Sequence, residues 1–412
     1  MTRLARVATL ACALLACVSA PLSAQGIIQQ PQLPDPEGTG RFRLGFIRFT
    51  PSIAITNLGV DTNVFNELED PKQDFTVSVG PQAEFWSRLG PRARMYGKAA
   101  VHYDYFQEYD SQRSFGTDDA LRLEADLGRL TPFADGTYVN TRTRPGFEID
   151  QRARFENLSG RAGLGIRVLS KTKLLAWARE SRFRYDDGSA FLAESLSRTL
   201  DRDSSSFGGG AEIELTPLTT LLVDVESGED RFLNSPVRDA DTYRVLSGFR
   251  FKPFALISGT ATFGYRDFET LSPLVPDFGG FVAQVDLAYT LRATRFAGTF
   301  NRDVTYSFQT TEPYYLQTDW LLSATQKITT EWDVVGRGGY YTLDYEIIGV
   351  PGARQRTDSG RRFGGGIGYT LGQFVRLGFD VDYMDRRSEA EIIRDYDGIR
   401  AGMTITYGTK QQ

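Results

Sequence analysis

The sequence predicts an all-β protein, a transmembrane antiparallel up-and-down β-barrel of about 18 strands, with 16 strands as the alternative. Three observations predict this fold. The last strand alternates strictly between apolar and polar residues, the chain from Phe46 onward repeats one rhythm of strands and turns, and an export signal precedes both.

The final strand shows the alternation most clearly. Its apolar face holds Ile399, Ala401, Met403, Ile405 and Tyr407, and its other face holds Arg400, Gly402, Thr404 and Thr406. A period of two with an apolar outer face is typical of a strand that crosses a membrane in a barrel. The spacing of Gly402, Ile405 and Tyr407 resembles the C-terminal signal by which the barrel-insertion machinery recognises bacterial outer-membrane barrels.

The first 24 residues have the pattern of a secretory signal peptide. Arg3 and Arg6 precede the apolar run 7–18, and small residues end at Ala24. The run is too short to span a bilayer as a helix. A lipoprotein cleavage site that leaves Cys17 lipidated is the alternative. Both cysteines of the chain lie in this segment, so ordinary cleavage leaves a mature chain without thiols.

Residues 25–45 are rich in Gln, Pro and Gly and predict a flexible periplasmic lead-in, and residues 46–412 predict the barrel. Eight short turns alternate with nine longer loops, which implies 18 strands with both termini on the short-turn, periplasmic side. The predicted turns are Gly90-Pro91, Thr131-Pro132, Lys171-Thr172, Pro217-Leu218, Pro253-Phe254, Arg292-Ala293, Thr329-Thr330 and Gly372-Gln373. The loops centre near Glu67, Ser111, Gly146, Ser195, Pro236, Pro273, Pro313, Gly352 and Ala390.

Two stretches depart from the alternation. Trp332 and Val334 have the opposite parity from Tyr341 and its apolar neighbours, which predicts a β-bulge near residues 336–339. Arg302 is in phase with residues expected to face lipid, a cost of a few kcal/mol at mid-depth. Either Arg302 lies near the headgroups or the predicted register is wrong there.

The residues expected to face the lumen carry both signs of charge in near balance, so strong ion selectivity is not predicted. The predicted pore-lining residues are Lys98, His102, Asp104, Arg122, Glu124, Asp126, Glu212, Glu214, Asp224, Glu226, Arg244, Arg250, Lys252, Arg266, Arg376, Asp380 and Asp382. The acids of 212–226 and the bases of 244–266 form neighbouring walls. These walls either orient polar solutes across the lumen or pair with each other and stiffen the barrel.

One loop has helical spacing of apolar residues. The longest connection, 187–203, predicts a short amphipathic helix that either folds inward and constricts the channel or lies over the rim. The candidate constriction residues are Glu194, Arg198, Asp201 and Arg202.

Composition argues against several function classes. The chain has one histidine, His102, so a histidine-dependent hydrolase would have to use that residue, and no nucleophile is marked beside it. We expect no enzyme activity, no cofactor and no metal site, since no phosphate loop, zinc signature or calcium loop is present. A net charge of −5 without a basic block argues against nucleic-acid binding.

The N-terminal half carries a family resemblance. Leu58-Gly59-Val60-Asp61-Thr62-Asn63-Val64-Phe65, Asp74-Phe75-Thr76-Val77 and Tyr103-Asp104-Tyr105-Phe106 resemble the opening of the putative β-barrel porin 2 family, with Val60 and Thr62 as departures. The resemblance implies an association with exopolysaccharide or capsule export loci. It therefore implies a conduit for a sugar polymer that docks to a periplasmic export component. A general diffusion porin for small polar solutes and a closed structural or adhesive barrel are the alternatives.

Overall fold

The computed structural model describes residues 40–252, 256–348, 356–389 and 394–408, and these residues form one closed antiparallel barrel of 18 long strands. The strands are β1 (Ile47–Asp61), β2 (Asp74–Leu89), β3 (Ala93–Phe106), β4 (Ser114–Ala125), β5 (Leu130–Thr143), β6 (Ala153–Leu169), β7 (Thr172–Tyr185), β8 (Arg202–Thr216), β9 (Thr219–Phe232), β10 (Ala240–Phe251), β11 (Ile257–Thr270), β12 (Phe278–Leu291), β13 (Thr294–Tyr306), β14 (Tyr314–Lys327), β15 (Trp332–Glu346), β16 (Thr357–Leu371), β17 (Val375–Arg387) and β18 (Tyr396–Tyr407). Each strand pairs with the next, and β18 pairs back onto β1 through Asp61–Arg400 and Ile53–Tyr407. The predicted strand number and topology are confirmed.

The two ends of the barrel differ in the length of their connections. Eight short turns lie at one end, called here the short-turn end, and nine longer loops lie at the other, the long-loop end. The loop of residues 186–201 is the longest connection between barrel strands and contains the helix α1 (Leu196–Leu200). Short 3₁₀ turns occupy Asp110–Gln112 and Pro236–Arg238.

The turn predicted at Thr131-Pro132 lies a few residues earlier, at 126–129. There the Asp126 carboxylate accepts a hydrogen bond from the Gly128 amide at 2.8 Å, and Gly128 has a positive φ of 84°. An Asp followed two residues later by a left-handed Gly makes a tight turn locally, whereas Pro132 continues strand β5 opposite Leu164. The predicted turn at 253–254 and the predicted loop centres Gly352 and Ala390 lie outside the described residues.

The outer face of the barrel is apolar in the way that the alternation predicts. Phe207, Phe281 and Phe363 project from it and are exposed. Within the described residues every barrel strand pairs with a neighbour on each side, and this closure is the condition under which strands can cross a bilayer. Within the parts of the chain that the structure describes, no helix has the length and apolar character to cross a membrane.

The bulge predicted in β15 near residues 336–339 is wrong. Strand β15 keeps one continuous register with both neighbours, β14 and β16. Trp332 and Val334 face outward, whereas Tyr341 and Leu343 face inward and are buried. The change of parity marks apolar side chains that fill the lumen, not a break in the strand. A register shift within a strand occurs instead in β1, between Ile55 and Leu58, where Asn57 has a positive φ of 53°.

Strand β13 explains the anomaly at Arg302. Its pairing with β12 ends at Ala283–Arg302, and only β14 accompanies it further. Arg302 itself lies on the outer face, where its Nη1 donates to Thr318 Oγ1 at 2.7 Å. Beyond it, residues 303–308 are all buried, because the end of β13 leaves the wall and turns into the lumen. The predicted register therefore holds up to Arg302 and fails above it.

The described part of the lead-in is short. Residues 42–44 form a three-residue strand that pairs with 47–49 at the start of β1, so this end of the lead-in is anchored to the barrel. Residues 1–39, which include the predicted signal peptide, both cysteines and most of the predicted lead-in, lie outside the described residues.

Candidate functional site

The inner wall carries chains of alternating charge that run from strand to strand. In the first chain, Glu124 on β4 pairs with Arg94 on β3 and with Arg122 on its own strand. Arg122 Nη1 in turn lies 3.0 Å from Asp135 Oδ1 on β5, and Arg161 Nε on β6 lies 2.8 Å from Asp135 Oδ2. These groups share the inward parity of their strands, so each charge is paired across the wall.

A second chain continues beyond Arg161, whose neighbour across the strands is Arg179 on β7. Glu226 on β9 lies between Arg179, at 3.6 Å, and Arg244 of β10. Asp303 on β13 is fully buried and pairs with Arg266 of β11 at 2.8 Å and with Arg244 at 4.0 Å. Glu226 and Arg244 thus join the acidic and basic walls predicted from the sequence, whereas Arg266 of the basic wall pairs with Asp303 on β13.

Aromatic rings support several of these guanidinium groups. Arg122 and Arg161 both lie over the ring of Phe133. The distances from their guanidinium carbons to the ring centre are 4.9 Å and 5.0 Å. Arg179 lies 4.9 Å from the centre of the Trp177 ring. Cation–π contact of this kind favours a fixed orientation of the guanidinium plane. The result is a wall of oriented hydrogen-bond donors.

Glycines of β16 make room for a third group of charges. Asp382 and Asp380 of β17 both pair with Arg337 of β15, across the intervening strand β16. A Cβ at Gly364 or Gly366 would overlap these carboxylates. The predicted residue Arg376 likewise reaches across β16, and it pairs with Asp333 of β15 at 2.6 Å.

The remaining predicted residues of the N-terminal wall have local partners. Lys98 pairs with Asp118 at 2.6 Å, and Asp104 pairs with Arg152 at 2.6 Å. His102 Nε2 lies 3.0 Å from Thr141 Oγ1, with its ring over Gly116. Among the described residues no group of three or more His, Cys, Asp and Glu side chains could hold a metal ion.

Several predicted residues lie near the short-turn end. Arg250 pairs with Glu212 at 2.9 Å, and both lie on the wall of the lumen. Glu214 is exposed near the end of β8, and Lys252 follows the last residue of β10. Asp126 was predicted to face the lumen from a strand, but it lies in the turn 126–129, because its carboxylate caps that turn. Lys252 and Asp126 are therefore not on the strands to which the prediction assigned them.

The long-loop end is filled by inward-folded segments, here called the cap. The cap comprises parts of the loops 144–152, 186–201, 233–239, 271–277 and 307–313. Their buried apolar side chains pack with strand residues in one cluster, which contains Ile149, Ala153, Tyr185, Phe191, Leu196, Leu200, Phe232, Ala240, Phe268, Val275, Val304, Tyr306, Phe308 and Tyr314. Residues from both sides of the barrel meet here, so the cluster lies across the mouth of the lumen.

One segment, the loop 144–152, crosses the lumen and is held on the far side. Arg386 of β17 is fully buried, and its Nη1 donates to Phe147 O at 3.0 Å, Glu148 O at 2.9 Å and both carboxylate oxygens of Asp150 at 2.9 Å. Arg394 also donates to Asp150, at 3.0 Å. We call Asp150, Arg386 and Arg394 the latch.

The latch is part of a larger buried network. Asp358 accepts from Arg386 Nη2 at 2.6 Å and from Arg356, which also pairs with Glu312 in the loop 307–313 at 2.7 Å. Removing one member of a buried ion pair leaves an uncompensated charge, which costs about 3–5 kcal/mol. The network therefore ties two inward loops to the barrel wall.

Two groups of the loop 144–152 have shifted proton affinities. Burial raises the pKa of the Glu148 carboxyl, although hydrogen bonds from Ser307 Oγ and the Phe308 amide and the charges of Arg394 and Arg386 act in the opposite direction. Burial and, after it, the charge of Arg400 together lower the pKa of the Arg144 guanidinium to about 10. Both groups are therefore enclosed in the cap or directly beneath it.

The predicted constriction residues differ in their burial and in their contacts. The helix α1 is five residues long, and its Leu196 and Leu200 are fully buried in the cap, so this loop does fold inward. Asp201 accepts from the Tyr185 amide at 2.7 Å, and Arg202 lies 3.9 Å from the centre of the Phe183 ring. Of the other two predicted constriction residues, Glu194 is half-buried in a small hairpin and Arg198 is exposed.

Sequence reasoning missed the loop 144–152 as the central element of the cap. A local signal was present, since Phe147 and Ile149 are apolar residues in a segment otherwise expected to be a polar loop. It also missed Arg386, which has the inward parity of β17 but lies beyond the predicted end of its alternating stretch. The apolar residues of the loop and the inward parity of Arg386 indicate a cap only when it is known that the loop and β17 face each other across the lumen.

Comparison with known proteins gives one family and a set of solved structures. The family model described as putative beta-barrel porin 2 matches residues 36–407. A BenF-like porin of Pseudomonas fluorescens Pf-5 is 10% identical, with 88% of this chain and 98% of that chain covered and a TM-score of 0.47. The protein OccK3 (OpdO) of Pseudomonas aeruginosa is 12% identical, with 87% of this chain and 95% of that chain covered and a TM-score of 0.46.

A ferric enterobactin receptor (PfeA) of Pseudomonas aeruginosa is 8% identical, with 87% of this chain and 72% of that chain covered and a TM-score of 0.45. The search of curated proteins found no match.

Proposed function

The chain belongs to the putative β-barrel porin 2 family, and from this premise we propose that it is a gated, non-enzymatic channel of the outer membrane that conducts an exopolysaccharide. The observation that carries the gating is the latch, in which Arg386 and Arg394 hold the loop 144–152 across the lumen through Asp150. The channel is closed at the long-loop end while the latch is formed, and it conducts when the cap moves.

The cap is suited to move because it is built from connections and not from the wall. A barrel of 18 strands is wide enough to leave an aqueous channel unless something fills it. The segments that fill it here are attached at strand ends, so they can swing while the hydrogen-bonded wall stays intact. Loops are the usual moving parts of such proteins because few wall contacts depend on them.

The inner wall suits a hydroxyl-rich polymer. Guanidinium groups fixed against rings, as at Phe133 and Trp177, present hydrogen-bond donors and flat apolar surface side by side. Sugar rings have both hydroxyl groups and apolar faces, and therefore match such a surface. The family resemblance of residues 58–65, 74–77 and 103–106 supports the same cargo through its implied association with export loci.

The route into the membrane and the orientation follow from the same proposal. The barrel-insertion machinery recognises the final strand through Gly402, Ile405 and Tyr407, and the lipid of the outer membrane surrounds the apolar outer face. Both termini and the short-turn end then face the periplasm. An export component docks at that end, against the short turns or the segment 25–45.

A general diffusion porin for small polar solutes is the second candidate. The observation that favours it is the local pairing of charges on the wall, as between Glu226 and Arg244, which leaves no field of one sign along the lumen. A porin of this kind conducts without release of the cap. A permanently closed structural barrel is the third reading and predicts no conductance from any variant of the latch.

Single-channel conductance in planar bilayers tests the proposal with one pair of variants. Arg386→Gln removes the latch cation, while Arg387→Gln changes the next residue, whose side chain is 71% exposed against 0% for Arg386. We expect the wild type and R387Q to be closed most of the time and R386Q to conduct steadily. Long oligosaccharides added to the bath should block the R386Q current.

Other results would favour the alternatives. Equal steady conductance of all three proteins, without block by oligosaccharides, would favour the diffusion porin. If R386Q is folded in a heat-modifiability gel but remains silent, the gated channel is excluded and the closed barrel is favoured.

A further inference from the structure

Arg362 on β16 is a lumen-facing cation without a partner. Gly364, two residues further along β16, faces the lumen, because the Asp382 carboxylate lies over it inside the barrel. Arg362 has the same parity as Gly364 and therefore also faces the lumen, where it pairs with Met384 of β17. Among the described residues the Arg362 side chain makes no hydrogen bond and no ion pair, and its electrostatic neighbours are Arg400, Tyr396, Asp382 and Tyr341. A half-buried guanidinium in this state lacks the partner that such groups normally have.

Two further guanidinium groups approach the same region. Arg400 on β18 donates through Nε to Asp61 at 2.7 Å, and its two Nη groups have no partner among the residues that the structure describes. Arg144 donates only to backbone carbonyls, those of Asp150 and Val64, at 2.6 Å each. Its guanidinium therefore forms no ion pair with a carboxylate among the described residues.

The charges around this region do not balance. Arg144, Arg362 and Arg400 supply three positive charges, and Asp61 is the carboxylate bound to one of them. Asp382 lies opposite Arg400, but Arg337 holds both of its oxygens. The excess of positive charge is local, in contrast to the paired chains elsewhere on the wall.

A buried hydroxyl group beside Arg362 is a second, independent indication of a binding site. Tyr341 on β15 is only 8% exposed, and its Oη has no hydrogen-bond partner. In the β15–β16 pairing Tyr341 lies opposite Gly360, and Gly339 lies opposite Arg362. Tyr341 and Arg362 are therefore diagonal neighbours on the same face of the sheet. An unsatisfied buried hydroxyl is uncommon in folded proteins, and it is the kind of donor that a bound oxyanion satisfies.

We propose that Arg362, Arg400, Arg144 and Tyr341 form an oxyanion site in the lumen directly beneath the cap, which binds the carboxylate of an acidic sugar residue in the cargo. The inference rests on the proposed polysaccharide channel and narrows its substrate to anionic polymers. Arginine suits a carboxylate because its planar fork matches the two oxygens. In this proposal a polymer that reaches the site from the short-turn end is held at the gate while the cap is closed.

Titration calorimetry of the folded full-length protein in detergent tests the site without requiring conduction. Trigalacturonate is the acidic probe, maltotriose the neutral probe of equal length, and inorganic sulfate the bare oxyanion. Arg362→Gln is compared with Arg361→Gln, the adjacent residue on the exposed outer face of the same strand. We expect trigalacturonate to bind wild type and R361Q alike, and R362Q to bind it about tenfold more weakly. Tyr341→Phe should also weaken binding, and added salt should weaken it further.

Four results would overturn the inference. Binding of trigalacturonate that R362Q leaves unchanged removes Arg362 from the site, and equal binding of maltotriose shows that charge is not recognised. Sulfate that binds as tightly as trigalacturonate shows a site for free anions and not for sugar acids. If R386Q opens the channel and trigalacturonate still fails to bind, the gated channel stands and only the oxyanion site is lost.

Discussion

Phe147 and Tyr341 stack face to face, with ring centres 4.1 Å apart and planes 16° apart, although they come from opposite sides of the barrel. Phe147 lies in the loop between β5 and β6, and Tyr341 lies on β15, nine strands beyond β6 in a ring of 18. The contact therefore spans the lumen, and it supplies the apolar half of an attachment whose ionic half is the latch.

Truncation of this stack should loosen the cap. In Phe147→Ala the loop 144–152 keeps its ion pairs but loses the ring contact, and such aromatic pairs contribute about 0.5–1.5 kcal/mol beyond their buried area. We expect the open probability in single-channel recordings to rise about tenfold at most. Tyr340→Ala is the control, since this ring neighbours Tyr341 in sequence but faces outward. Equal effects of both variants would contradict the assignment of the stack to the gate.

The buried carboxylate of Asp303 should be essential for stability. Asp303→Asn leaves Arg266 and Arg244 facing each other without their shared anion, and breaking a buried ion pair costs about 3–5 kcal/mol. Asp203→Asn, at a pair with Arg184 where the Asp side chain is 51% exposed, should cost about 0–1 kcal/mol. Urea unfolding followed by the loss of the heat-modifiable band measures both. A small effect at Asp303 would mean that water already compensates the two arginines.

A methyl group at Gly116 should displace the His102 ring. A Cβ at this position would overlap ring atoms of His102, so the ring must rotate and its contact with Thr141 Oγ1 is lost. Loss of one partly buried hydrogen bond with local strain predicts a destabilisation of about 1–2 kcal/mol for Gly116→Ala. Gly160→Ala, where a Cβ would meet no atom within 4 Å, should be neutral or slightly stabilising. Equal unfolding free energies would show that the ring is not held in place.

The barrel was predictable from the sequence because its determinants are local. The alternation of each strand and turn residues such as Gly90-Pro91 act within a few positions, and the strand count follows from them. The cap was not predictable, because the latch joins Asp150 to Arg386, residues 236 positions apart. One local sign, the change of parity between Trp332 and Tyr341, predicts a bulge by itself, because inward-facing aromatic residues are explained only when the lumen is known to be filled.

The pore-lining residues were more predictable than the cap but less predictable than the barrel strands. Period two assigns inward parity to Glu226 and Arg244, but it does not distinguish a pair that neutralises itself from a wall that faces open water. That distinction depends on strand neighbours and side-chain reach, which the register supplies. Loop 186–201 shows the same limit: its helical spacing was visible, but the burial of Leu196 and Leu200 depends on loops from elsewhere in the ring.

The gate should respond to pH through Glu148. Its carboxyl is buried in the cap, faces Arg386, Arg394 and Arg238, and has a folded-state pKa above its ordinary 4.5 because of burial. If opening exposes Glu148 to water, its pKa falls back toward 4.5, so the closed cap binds more protons than the open one. The closed state is therefore favoured fully below pH 4.5, and this contribution is lost as the pH rises through the raised pKa.

We expect the open probability of the wild type to fall when the pH is lowered from 7 to 5, and the complete fall, reached below pH 4.5, is about tenfold for each unit that separates the two pKa values. Glu148→Gln keeps an uncharged side chain of the same shape at every pH, so its open probability should be low and flat over this interval. Glu194→Gln, in the half-buried hairpin, is the control and should retain the wild-type pH profile. A pH dependence in E148Q as steep as that of the wild type would assign the response to another group, because Glu148 can no longer titrate in that variant.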